Sequence, residues 1–292
     1  MTLLVSRRSA VALLVGAAAS LQAAHAQRPT FYFSAIPDED ETKLTARFTK
    51  VAAYLTGELG FPVQYVPLKS YPASVTAFKN DQIQLAWFGG LTGVQAQRAA
   101  PGSQAIAQGE EDKAFVSYFI ANAATGIELA SDLPKAIAGK TFTFGAKTST
   151  SGRLMPEFYL RKAFGKSPDE IFSKVGYSGD HTKTVELVQS GAYDVGACNY
   201  SSFDDMVKNG KADPAKVKVI WKTPPFPDYN WTIRGDVDKR FGAGTLAKVR
   251  AAILGIKDPA LLAAFPRKSF IPAQNADYKP IEETAKLLGL LD

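Results

Sequence analysis

One cysteine and two histidines in 292 residues leave little room for two classes of site. Cys198 stands alone, so no disulfide can form within the chain, and so few soft or imidazole ligands argue against a structural zinc centre. No metal and no cofactor is expected. Long hydrophobic runs are equally scarce. The one from Ala10 to Leu21 is too short for a comfortable membrane span, and no second run supports it. Basic residues are in excess, with a formal charge of +6, yet they are scattered singly. Tails that bind nucleic acid carry them in blocks, so no nucleic-acid partner is expected. A mildly positive surface suits a small anionic ligand and equally suits plain solubility.

What is present begins with an address label. MTLLVSRRSAVALLVGAAASLQAAHA carries Arg7 and Arg8, then the apolar run, then Ala24-His25-Ala26 before Gln27. That order is a charged n-region, an h-region and a small-residue cleavage site. We read residues 1–26 as a signal peptide. Ser6-Arg7-Arg8 faintly resembles a twin-arginine signal, but Ala10 sits where a larger apolar residue is usual, so the Sec route is expected. No cysteine lies near the cleavage site, which argues against a lipid anchor. The remaining ~266 residues are enough for two modest domains, and they should be exported and soluble.

Short apolar runs then alternate with helical patterns. TFYFSAI reads as a strand. Asp38 with Glu41 makes a helix-start pair, and Leu44, Phe48, Val51, Ala52, Leu55 and Leu59 follow at the spacing of an amphipathic helix that Gly60 ends. PVQYVPL is a second strand, YPASVTAFKND a short helix and IQLAWFG a third strand. This alternation predicts an α/β fold with a largely parallel sheet. The pattern restarts at FVSYFIANA and continues through TFTFGA, KVGYSG, YDVGACNY and KVKVIWK, each run beside a helical stretch. From Asp236 to Leu291 the chain reads as mostly helical. We expect two α/β lobes, residues 27–118 plus 226–292 and residues 119–225, with the chain crossing between them near 115–124 and 222–232. A small ligand would bind in the cleft between them.

Four stretches could carry chemistry. In TFTFGAKTSTSGRLMPEFYL, hydroxyl residues 148–151 meet Gly152 at a helix start. A helix N-terminus offers unpaired N–H groups and partial positive charge. Ser149, Thr150 and Ser151 could add hydroxyl donors there, and Gly152 would let a ligand approach the backbone. An ordinary N-cap needs only one such hydroxyl. A serine nucleophile lacks the G-x-S-x-G elbow and the S-x-x-K pattern. In the second stretch, Tyr71 and Pro72 open a helix, and Trp87 and Phe88 end a strand before Gly89-Gly90. Strand ends face the crevice in open α/β sheets, so Trp87 could contact ligand or fill the core, Phe88 could wall the pocket, and amides after Gly89 could reach an anion. In the third, His181 lies in the first turn of a helix, where the dipole disfavours its protonated form. It could serve as a neutral donor or simply face solvent. The next strand ends at Asn199-Tyr200. The fourth is PPFPDYN, which places Asp228 beside Tyr229 at the second crossing. A carboxylate near an anion site makes sense for a ligand that carries a proton, such as monoprotonated phosphonate, phosphite or phosphate. An Asx-turn is the alternative.

Together these stretches resemble the periplasmic phosphonate/phosphite-binding family, the substrate-capturing components of ABC importers. Within it the S-T-S-G-R-L-M-P version is most similar to a subgroup labelled as selenate-binding. The resemblance covers nearly the whole chain after residue 26. It implies a type II periplasmic binding protein, two α/β lobes with a ligand cleft and two crossover strands. It also implies a periplasmic, non-enzymatic monomer that hands a small oxyanion to an ABC permease in the inner membrane. Positions equivalent to Tyr71, Phe88, Ser149, Thr150, Ser151, His181 and Asp228 line the cleft in that family; Trp87, Gly89, Gly152, Arg153, Tyr200 and Tyr229 are further candidates. Family members that take aminoalkylphosphonates carry an added acidic side chain near where this chain has Asn199 to Ser202, which argues against an amine. Arg153 stands where an apolar residue or histidine is more usual; its guanidinium could attract an oxyanion or face solvent. The alternatives are selenate or another proton-free oxyanion as ligand, an exported serine-dependent hydrolase, and a sensory binding module.

Overall fold

A computed structural model describes residues 29–291 apart from residue 264. The signal peptide expected over residues 1–26 lies outside the described residues. Two sheets organise the chain. Among the described residues the first has six strands and the second five.

The first sheet opens with β1 (Phe31–Ala35), α1 (Glu41–Leu59), β2 (Val63–Tyr65), α2 (Tyr71–Lys79), β3 (Leu85–Phe88) and α3 (Gly90–Ala99). Helix α1 buries Leu44, Phe48, Val51, Leu55 and Leu59, and Gly60 ends it at φ 71°, where a side chain would be strained. Its N-cap is Asp40, whose carboxylate accepts from the Lys43 amide. Asp38 lies two residues too early to cap it, and its side chain is free for another use.

After β4 (Gln104–Gly109) the chain enters the second sheet through β5 (Ser117–Asn122). There follow β6 (Thr141–Phe144), α4 (Met155–Phe164), β7 (Lys174–Tyr177), α5 (His181–Gln189), β8 (Val195–Asn199), α6 (Tyr200–Lys208) and β9 (Val217–Lys222). It then returns through β10 (Asn230–Ile233), and α7 (Thr245–Leu254), β11 (Phe270–Pro272) and α8 (Lys279–Leu287) complete the first unit.

Both sheets are mixed, where the alternation of strands and helices predicts largely parallel ones. β1 pairs in parallel with β2 and β3, and β6 with β7 and β8. β10 runs antiparallel to β3 and β4, and β5 runs antiparallel to β8 and β9. The cause lies in the crossings: a strand that arrives from the other sheet enters from the opposite end. Where the two crossings pass, Phe115 and Phe226 exchange reciprocal backbone hydrogen bonds, each 2.9 Å.

The first core is aromatic at its centre: Trp231 packs against Phe33, Phe48, Trp87 and Phe265. Full burial of such a side chain stabilises by about 1.5–3 kcal/mol relative to exposure. The second sheet is covered on both faces, by Phe119, Phe142, Phe144 and Leu160 on one side and Ile120, Val185, Val188 and Phe203 on the other. At the base of the crossings, Arg267 pairs with Asp112 at 2.7 Å; both side chains are buried. Asp112 also accepts from the Gly109 amide, and its own carbonyl accepts from the amide of Asp228.

Candidate functional site

Strand β3 delivers Gly89-Gly90 at its C-terminal end, and strand β6 delivers the loop that reaches Ser149. The Ser149 hydroxyl caps the next turn by accepting from the Gly152 amide at 3.0 Å. That turn, Thr150–Leu154, is a π-helical one that runs straight into α4. As the first residues of a helix, Thr150 and Ser151 have amides with no carbonyl a turn earlier to bond. The hydroxyl cluster therefore divides its labour: Ser149 caps, and the next two residues present amides and hydroxyls.

Around this turn the structure gathers Tyr71, His181 and Asp228. All three, with Ser149, Thr150 and Ser151, are no more than 2% exposed. The Tyr71 hydroxyl lies beside that of Ser149. A Cβ at Gly152 would lie 3.0 Å from both His181 Cε1 and Ser149 Oγ, and one at Gly89 would lie 3.2 Å from Asp228 Oδ1 and 3.3 Å from Thr150 Oγ1. Both glycines are thus fixed by close approach rather than by dihedral angle. The Gly90 amide donates to Asp228 Oδ1 at 2.9 Å, and the Leu91 amide donates to Thr150 Oγ1 at 2.9 Å, a bond between the two sheets' units.

Three buried polar atoms in this group have no hydrogen-bond partner: Tyr71 Oη, His181 Nε2 and Asp228 Oδ2. Leaving such an atom unpaired costs about 1–3 kcal/mol each, so their convergence marks a place built for a polar guest. Their protonation is legible. Burial lowers the His181 pKa to about 4, and its Nδ1 accepts from the Asn199 amide at 3.2 Å. The ring is therefore neutral with its proton on Nε2, a donor aimed inward. Burial, with Asp38 nearby, holds the Tyr71 pKa well above its ordinary value, so it too is a donor. Burial raises Asp228 to about 6 against the opposing pull of the Gly90 amide and the Ser151 and Thr150 hydroxyls. Donors thus surround one acceptor. That set fits a small oxyanion that shares one proton with Asp228. Among the described residues no group of three or more His, Cys, Asp and Glu could hold a metal ion.

Beyond Tyr71 a cavity of ≈ 520 Å³ opens to the surface, lined also by Lys69, Ala146, Lys147, Tyr177 and Asp180.

Several sequence candidates lie elsewhere. Trp87 packs in the aromatic core against Tyr229, Trp231, Phe265 and Phe270, because β3 is buried on both faces. Phe88 sets its ring edge-on to Phe78, also within that core. Arg153, partly buried, pairs with Glu157, donates to the Tyr177 hydroxyl and layers over the rings of Phe144 and Tyr177. Tyr200 packs on Phe115 and Tyr118. Tyr229 is engaged behind the site. Its hydroxyl donates to Asp38 Oδ2 at 2.8 Å and accepts from Asn199 Nδ2 at 2.9 Å. Neither Asp38 nor Asn199 is announced by sequence as a support of this site: a carboxylate just after a strand end reads as readily as a helix cap.

The family described as ABC transporter, phosphonate, periplasmic substrate-binding protein matches residues 33–278. The probable ABC transporter phosphite-binding protein PhnD1 of Prochlorococcus marinus (strain MIT 9301) is 38% identical over 262 residues, 87% of this chain and 88% of its own length. The structure of that PhnD1 in complex with methylphosphonate superposes with a TM-score of 0.86, covering 90% of this chain and 99% of the other. A binding-protein component of an ABC phosphonate transporter from Pseudomonas aeruginosa shares the fold at 21% identity, with a TM-score of 0.77 and coverage of 89% and 86%. This chain belongs to the periplasmic substrate-binding proteins of ABC phosphonate transporters, which are type II periplasmic binding proteins and not enzymes.

Proposed function

We propose that the protein captures a monoprotonated tetrahedral oxyanion, phosphite or a small phosphonate, in the chamber formed by Tyr71, Ser149, Thr150, Ser151, His181 and Asp228. The single observation that carries this reading is Asp228 Oδ2, a buried acceptor without a partner among donors. A wholly ionised sulfate or selenate would set two negative groups against each other there, at a cost that low dielectric magnifies. A phosphite or phosphonate monoanion instead donates its own proton to Asp228. The hydroxyls, the Thr150 and Ser151 amides and the Nε2–H of His181 then serve its remaining oxygens.

Further support comes from the relatives: one is named for phosphite, and its structure holds methylphosphonate. On this reading residues 29–118 with 226–291 form one lobe and residues 119–225 the other, hinged at Phe115 and Phe226. Closure buries the anion, and the closed shape is what an inner-membrane ABC permease recognises. Residues 1–26 act as the export signal, and the mature protein works in the periplasm as a monomer.

Calorimetry on protein unfolded, dialysed and refolded decides the matter, with phosphite, methylphosphonate, phosphate, sulfate and selenate as separate titrants. Binding of phosphite or methylphosphonate with no heat from sulfate or selenate supports the reading. Tight selenate binding, or silence for all five, overturns it.

A further inference from the structure

Outside the anion chamber, a second cluster joins the two units. Glu39 lies just before α1 with its side chain 7% exposed. Its Oε2 sits 2.7 Å from Lys43 Nζ and 3.3 Å from Arg47 Nη2, and its Oε1 accepts from the Ser202 hydroxyl at 3.3 Å. Lys43 Nζ in turn lies 2.6 Å from Asp205 Oδ2. Glu39, Lys43 and Arg47 belong to the first sheet's unit, whereas Ser202 and Asp205 lie on α6 of the second. One ammonium is thus clasped between two carboxylates, one from each side of the cleft. Next to it, the His181 amide donates to the carbonyl of Asp38 at 3.0 Å, so the cluster adjoins the chamber.

We propose that Glu39, Lys43, Ser202 and Asp205 form a latch that holds the lobes closed whether or not ligand is present, and so sets how long a captured anion stays. The proposal rests on the lobe assignment and anion reading given above.

Three physical points carry it. A lone exposed ion pair contributes little, but here Glu39 is buried, and opening would take from it the Ser202 hydroxyl while taking Asp205 from Lys43. Lys43 keeps its charge: burial opposes it, yet Glu39 and Asp205 together raise its pKa. Likewise Glu39 is held below its ordinary value, burial being outweighed by Arg47 and Lys43. Opening therefore separates full charges rather than a titrated pair, and the latch should weaken with salt because its outer half is exposed.

The test uses the full mature chain with Lys43→Met, Asp205→Ala and the double variant. Stopped-flow exchange of methylphosphonate should show dissociation about threefold to tenfold faster in either single variant, and association faster as well, because more of the ligand-free protein is open. The double variant should be no faster than the worse single one, because each removes the same interaction. The difference from wild type should shrink in 0.5 M salt. In parallel, fluorophores at Leu287→Cys and Leu129→Cys, both well exposed, report the distance between lobes without ligand. Lys43→Met and Asp205→Ala should move that distribution toward the open state. Unchanged dissociation, additive single effects or an unmoved distance distribution would overturn the latch. Should wild type bind neither phosphite nor methylphosphonate, the anion reading fails, and the ligand-free distance distribution alone decides the latch.

Discussion

The backbone amide of Gly90 binds Asp228 through Oδ1 and leaves Oδ2 facing the chamber without a partner. One carboxylate oxygen is anchored to the first unit's helix start; the other waits for a donor. On the proposed reading the hydroxyls and His181 can satisfy almost any oxyanion, so Asp228 would be the discriminating group. In Asp228→Asn the amide oxygen can keep the Gly90 bond while Nδ2 becomes a donor. The variant should lose affinity for phosphite and methylphosphonate by about tenfold to a hundredfold and gain measurable affinity for sulfate or selenate. Competition calorimetry reads both changes.

Affinity for a proton-sharing ligand follows the supply of that one proton. Burial puts the Asp228 pKa at about 6, and phosphate-type second protons leave near pH 6 as well. Above that, both partners are ionised and binding must take a proton from solution. Phosphite affinity should therefore fall about tenfold for each pH unit between 7 and 9. Calorimetry in buffers of different ionisation enthalpy should show uptake of one proton per anion bound. In Asp228→Asn, the slope with a sulfate titrant should vanish.

His181 presents a proton on Nε2 because Nδ1 is occupied by the Asn199 amide. His181→Ala should weaken phosphite binding by about 1.5–3 kcal/mol, the worth of a hydrogen bond to a charged group. Because its pKa lies at about 4, no loss of wild-type affinity between pH 5 and 7 should trace to this ring. An imidazole nitrogen resonance that titrates near pH 6.5 in the folded protein would contradict the assignment.

Asp38 lies buried beneath Tyr229, and burial together with Glu39 raises its pKa to about 7. A carboxyl raised in the folded state binds its proton more tightly there than when unfolded. The folded protein is therefore penalised as pH climbs from about 4 toward 7 and carries the full penalty above 7. Asp38→Asn keeps an acceptor for the Tyr229 hydroxyl and removes the ionisation. Its melting temperature should exceed that of wild type by a few degrees at pH 8 and match it near pH 4.

Arg267 and Asp112 form a pair with little access to water on either side. Removing one partner strands the other charge, which costs about 3–5 kcal/mol. Arg267→Met should therefore lower the denaturation midpoint sharply. The double variant Asp112→Leu with Arg267→Met should recover part of that loss, which urea titration measures. Because the Asp112 carbonyl also holds the Asp228 amide, phosphite affinity of the folded single variant should fall as well.

Much of the fold is legible in the amino-acid sequence. Period-3.6 spacing places α1 and its buried stripe, because one face of that helix meets a core and the other meets water. The hydroxyl run at Ser149 to Ser151, the glycine at 152 and the histidine opening α5 could be read as a site because local rules govern helix starts. Other features depend on partners remote in sequence. The four buried positions of β3 give no inside-outside alternation, so nothing in LAWF separates a core Trp87 from one facing a ligand. Arg153 finds Phe144 and Tyr177 only once β6 and β7 lie side by side. Lys43 and Asp205 are 162 residues apart, and no local pattern announces their meeting.

The reciprocal bonds between Phe115 and Phe226 carry one more consequence. On the proposed two-lobed reading, strands tied to each other at the crossing turn together rather than independently, so opening should follow one principal angle. A single well-chosen distance is enough to follow the whole motion, and loosening that tie would add directions of travel along which the chamber's donors no longer return in register.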